Sequence, residues 1–104
     1  MNEAAYNAAD EVQVKGRRKK EVREGIQAGI DIKAVMSTPE GRRFMHRLIG
    51  FCGIHQPSFN TNALAMAFRE GHRNVGLYLE TEILAACPSS YLLMQSEATK
   101  EDAS

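Results

Sequence analysis

The chain contains no tryptophan, three prolines, two cysteines and only 7% aromatic residues. Two cysteines, Cys52 and Cys87, are too few to staple 104 residues into a disulfide framework, and a reducing cytoplasm is the expected site of synthesis. Hydrophobic runs are short. The longest, Leu48 to Ile54, has seven residues, two of them glycine, whereas a membrane helix needs roughly 20. The opening residues, Met1-Asn2-Glu3-Ala4-Ala5-Tyr6, lack the basic and apolar blocks of a secretion signal. β-Branched residues are sparse and never alternate with polar ones over four positions, which excludes half-buried strands. Net charge is also absent, since 13 Lys and Arg balance 13 Asp and Glu. That balance excludes a uniformly basic nucleic-acid coat.

The balance conceals an asymmetry. Residues 1–52 carry ten basic against seven acidic residues, and residues 53–104 carry three against six. Helical periodicity organises the chain into three or four helices, so the fold class is all-α. A small domain built on a central helical hairpin is expected, preceded by a long charged helix. Residues 1–9 read as a loose arm, 10–96 as one helical domain (10–36 the charged helix, 37–96 the core), and 97–104 as a flexible polar tail. In the charged helix, Val22, Ile26 and Ile30 recur every four residues, while Gly16, Gly25 and Gly29 each weaken it by about 0.8–1.0 kcal/mol relative to Ala.

The next helix has clear start signals: Ser37 or Thr38 as cap, Pro39 in the first position, and Glu40 at the positive dipole end. Phe44, Met45, Leu48, Ile49 and Cys52 form its apolar stripe, and Gly53 suits a left-handed C-cap. A loop marked by Pro57 follows, with Phe59 expected to fold back over the hairpin seam. Thr61 or Asn62 then caps a segment with an apolar face at Leu64, Phe68, Val75, Leu79 and Ile83. Gly71 and Gly76 leave open whether this segment is one helix or two. Pro88 ends it and starts a short last helix. Leu48 and Phe68, in mid-stripe, are expected to be the most buried side chains of the hairpin. Glu70 is expected to reach Arg42 or Arg43 across it.

Candidate chemistry is thin. Cys52, His55, His72 and Cys87 could be assembled into a zinc set. The second pair, however, is fifteen residues apart, and both cysteines sit on apolar stripes, where free Cys packs as a small hydrophobe. No metal, cofactor or small-molecule substrate is therefore expected. Ser37, Ser58, Ser89 and Ser90 sit at helix ends or in a loop without a nucleophile elbow. Glu80 and Glu82, two apart on a helix, diverge and cannot act as an acid/base pair. No catalytic residue is assigned. The strongest charge feature is Lys15-Gly16-Arg17-Arg18-Lys19-Lys20, extended by Arg23. Contact with an acidic protein is the leading reading of this run, with nucleic acid or plain solvation as alternatives. No aromatic residue interleaves it, which argues against single-strand stacking.

Two blocks exceed generic helix grammar: Met36-Ser37-Thr38-Pro39-Glu40-Gly41-Arg42-Arg43-Phe44 and Ala67-Phe68-Arg69-Glu70-Gly71-His72-Arg73-Asn74-Val75-Gly76-Leu77. With Cys52-Gly53-Ile54, Ser58-Phe59 and a final Pro88, Tyr91 and Met94, they resemble a family of small proteins from short-tailed bacteriophages, typified by one from a Bordetella phage. The resemblance spans roughly residues 10 to 95, and His72 stands where many relatives carry Arg. It implies a non-enzymatic role in or on the virion, with other particle proteins as partners. The alternative is a DNA-contacting accessory packaged with the genome. The residues expected to hold such a partner are Lys15, Arg17, Arg18, Lys19, Lys20, Arg23, Val22, Ile26 and Ile30. Residues 37–95 would then supply the folded body.

Overall fold

The structure, a computed structural model, describes residues 8–56, 59 and 61–103. Four helices follow one another: α1 (Ala8–Met36), α2 (Pro39–Cys52), α3 (Ala63–Ala86) and α4 (Pro88–Ala103), and no strand occurs among the described residues. The fold is all-α.

Local chemistry sets the boundaries. Ser37 Oγ donates to the Ala34 carbonyl at 2.7 Å as α1 ends. Thr38 is the N-cap of α2, its hydroxyl accepting from Gly41 N at 3.0 Å, with Pro39 in the first helical position. Gly53 closes α2 in the left-handed region (φ 68°), where a Cβ would be strained. Asn62, rather than Thr61, caps α3 by accepting from Ala65 N at 3.0 Å. Gly71 and Gly76 do not interrupt α3, which runs unbroken to Ala86. Cys87 then turns the chain, and Pro88 opens α4.

The core is small: Met36, Met45, Ile49, Cys52, Ile54, Ile83 and Met94 are buried, and Ile32, Leu48, Leu77, Leu79, Cys87 and Tyr91 pack against them. The α2 stripe is oriented as its spacing predicts, with Phe44 at its exposed edge. Gly76 is where α3 meets the end of α2, because a Cβ there would lie within 2.6 Å of Cys52 Cβ and Ile54 Cγ2. Ile54, not Phe59, plugs the seam, and Phe59 is 77% exposed.

Three further expectations are corrected. Phe68 is 67% exposed and Leu48 only half-buried, so neither is the most buried residue of the hairpin; Ile83 is, enclosed together with Met36 of α1 and Met94 of α4. Phe68 lies eight residues before Gly76, about 12 Å along the helix axis, so it stands beyond the end of the shorter α2. Leu64 and Val75 are exposed as well, and only Leu79 and Ile83 of that row reach the core. The body also begins before residue 37, because Ile32 packs on the core and Met36 is fully buried. Finally, residues 97–103 are not a frayed tail but the last turns of α4. Of the expected N-terminal arm, residues 1–7 lie outside the described residues, while Ala8 and Ala9 already belong to α1.

The result is extended. Its dimensions are 71 × 41 × 15 Å and its radius of gyration is 19.9 Å, against about 13 Å for a compact domain of ~100 residues. Every residue from Ala8 to Gln27 is exposed, so most of α1 projects from the body.

Candidate functional site: a basic arm, an arginine anchor and an outward aromatic face

The arm carries two adjoining rows. Lys15, Lys19 and Arg23 recur at steps of four, as do Val22, Ile26 and Ile30. Lys19 stands three residues before Val22 and Arg23 three before Ile26, which makes them neighbours on the helix surface. Arg18, Lys19, Val22 and Arg23 line one shallow depression. Two bases have helical partners: Lys15 pairs with Glu11 at 3.6 Å and Lys20 with Glu24 at 3.9 Å. Arg17 lies exposed on the same projecting segment. All nine arm residues named from the sequence are thus on exposed helix, with Val22 and Ile26 each 61% and Ile30 53% accessible.

Arg42 ties the end of α1 and α4 to α2. It is 8% exposed. Its Nε donates to Glu97 Oε1 at 2.7 Å, Nη2 to Glu97 Oε2 at 3.1 Å, and Nη1 to the Met36 carbonyl at 2.9 Å. This bidentate pair ties α4 to α2 while the third donor satisfies the end of α1. Hydrogen bonding from Arg42 holds the Glu97 carboxylate below its ordinary pKa, and the same bond raises Arg42. Glu97 therefore takes at Arg42 the place that the sequence assigned to Glu70. Its signal was available in periodicity, since Tyr91, Met94 and Glu97 recur at steps of three along one side of α4. Arg43 is exposed, and its charge also lowers Glu97.

A second tie links α3 to α4. The Tyr91 hydroxyl donates to Glu80 at 2.6 Å and accepts from Gln95 at 3.1 Å. Burial, then the bond to Glu80, raises the Tyr91 pKa. Tyr78 is raised by its hydrogen bond to Glu82. Both carboxylates of the Glu80–Glu82 pair are thus engaged with tyrosines of the scaffold.

The structure disperses the candidate metal set. Cys52 is in the core, Cys87 is half-buried at the end of α3, and His55 is exposed. His72 lies between two phenylalanine rings. Among the described residues no three His, Cys, Asp or Glu side chains converge as a metal site, and no helix is long and apolar enough to cross a membrane. Ser37 ends α1, Ser89 and Ser90 open α4, and Ser58 lies outside the described residues.

Sequence reading missed the most unusual feature. All four phenylalanines of the chain, Phe44, Phe51, Phe59 and Phe68, are exposed, by 52%, 74%, 77% and 67%. Phe51 of α2 and Phe68 of α3 flank His72, with ring centroids 5.7 and 4.4 Å from its own. The Arg47 guanidinium sits 5.6 Å over Phe44. A cavity of about 260 Å³ opens beside this cluster, with Phe51, Gln56, Arg69, His72 and Arg73 among its walls.

These features define a class: a small all-α protein with a projecting basic arm and its largest apolar side chains turned outward. Residues 32–96, more than half of the chain, match the family described as Bbp19-like phage protein, and the chain belongs to that family. The match starts at Ile32, the first residue of α1 to pack on the core, later than the resemblance near Asp10 drawn from the sequence. No curated protein and no solved structure matches the chain.

Proposed function

We propose that this phage protein is a non-enzymatic structural component of the virion that binds other particle proteins, at the head, at the portal or tail, or among ejected internal proteins. The observation that carries the reading is the exposure of all four phenylalanines around a core of methionine, isoleucine and cysteine. An aromatic side chain buries 150–250 Å² when covered, and large exposed apolar patches mark interaction surfaces. Family membership supplies the phage context. The test is quantitative mass spectrometry of purified particles. A fixed copy number per particle, retained through gradient purification, is the expected result. Absence from particles, with the protein left in the host lysate, would overturn it.

A second reading has its own observation. Arg18, Lys19 and Arg23 line one side of the exposed arm, which suits phosphates as well as carboxylates. A DNA-contacting accessory would bind phage DNA with an affinity that falls steeply and linearly in log salt, because each phosphate contact releases counterions. An apolar protein interface survives such salt.

A further inference from the structure

We infer that the α2–α3 face around Phe51 and Phe68 is a docking site for an acidic segment of another particle protein that carries apolar anchor side chains. The inference rests on the reading of the protein as a particle component and names the chemistry of what one face of it takes. The cavity beside Phe51 holds about 260 Å³, below the usual 300–1,000 Å³ range of small-molecule pockets, a size that suits the side chain of a partner. Its aromatic walls are Phe51 and His72, with Phe68 against His72 on the outer side.

The charged residues that line the cavity have one sign, with Glu70 next to Arg69 outside the lining. Arg69 and Arg73 line the cavity, no carboxylate is among its described lining residues, and Arg47 covers Phe44 further along α2. Aromatic residues with arginine are the composition of interface hot spots. The occupant must bring carboxylates to these guanidiniums and an apolar side chain to the cavity.

Two other occupants fit less well. A second copy seated face to face would set its arginines against those of the first, a like-charge contact that costs binding. Nucleic acid would need ring faces open for base stacking. Here both rings are tilted against His72, at 35° and 53°, rather than laid out as a ladder.

The experiment uses the full chain in assembled particles, with Phe51 replaced by the photo-crosslinking amino acid p-benzoylphenylalanine. The expected result is one dominant adduct. Mass spectrometry should map it to a segment of a different particle protein in which Asp and Glu outnumber Lys and Arg and an apolar residue lies at the linkage. Adduct yield should drop about tenfold or more in an R69E/R73E background, as for a hot-spot arginine. Phe68→Ser, a change at an exposed ring, should lower it likewise and guards against a folding defect in the double-charge variant. An adduct to DNA, to another copy of this chain or to a basic segment, or no adduct from particles that contain the protein, would overturn the docking site and leave the virion assignment standing. Particles that lack the protein altogether would overturn both.

Discussion

A guanidinium as enclosed as that of Arg42 must have its donors met, and Glu97 with the Met36 carbonyl meets three of them. The pair gives a pH dependence with a definite sign. Glu97 has an ordinary value of 4.5, and its folded value is lower. The stabilisation is therefore complete above about pH 4.5 and is lost as pH falls through the folded value. Urea titrations of the wild type and Glu97→Gln should differ at neutral pH and converge in acid. A gap that stays constant into acid would remove the pair from the stability of the fold. The hydrophobic residues make a contrast of their own. Ile83 is fully buried and Phe68 is not, so Ile83→Ala should cost about 2–5 kcal/mol. Phe68→Ala should stay within about 0.5 kcal/mol, although the sequence pattern ranks Phe68 as core. Equal losses at the two positions would place Phe68 inside.

Helix α1 is two elements in one. From Ala8 to Gln27 every residue is exposed, whereas Ala28, Gly29 and Ile32 are partly covered and Met36 is buried. Two glycines, Gly16 and Gly25, and the exposure of every residue leave the first part weakly held, since packing supplies most helix stability. Amide protons of residues 10–24 should exchange far faster than those of residues 43–52, as measured by hydrogen exchange. A chain beginning at Ala28 should keep a cooperative helical melt, and one beginning at Ser37 should lose it together with Ile32, Met36 and the carbonyl that Arg42 grips. Cooperative unfolding of the Ser37 chain would show α2–α4 to be self-sufficient. Arm function separates from arm folding in the full chain: reversing Arg17, Arg18, Lys19 and Lys20 to Glu should leave the melt unchanged and deplete the protein from particles. Normal incorporation of that variant would put attachment on the body.

At the scale of the molecule, sixteen large apolar residues are exposed while six, with Cys52 beside them, are buried, counted among the described residues. A chain this short buries too little apolar surface to be generously stable alone, and here much of that surface is left on the outside. The folded protein should therefore bind a hydrophobic dye such as ANS at neutral pH without losing its cooperative melt. Combined Phe51→Ser and Phe68→Ser changes should reduce the signal. Dye binding that persists in full would move the apolar surface to the arm.

What the sequence determined by itself was everything carried by interactions within a few residues. A cap at Ser37 or Thr38 with Pro39 and Glu40 starts α2, Gly53 ends it in the left-handed region, a cap at Thr61 or Asn62 starts α3 and Pro88 divides α3 from α4, because caps and fixed φ angles act over one turn; the structure chose Thr38 and Asn62. The all-α class follows from a periodicity that is local as well. Which rows of that periodicity are buried depends on how far the helices overlap, and only the tertiary structure decided it. Helix α3 is longer than α2, so Leu64 and Phe68 run past the point where Cys52 and Ile54 close on Gly76. The same overlap brought Glu97, in a stretch that reads as a polar tail, within hydrogen-bonding reach of Arg42, 55 residues away. Spacing along a helix states which residues share a side, and only the neighbouring helices decide whether that side meets the core, the solvent or a partner.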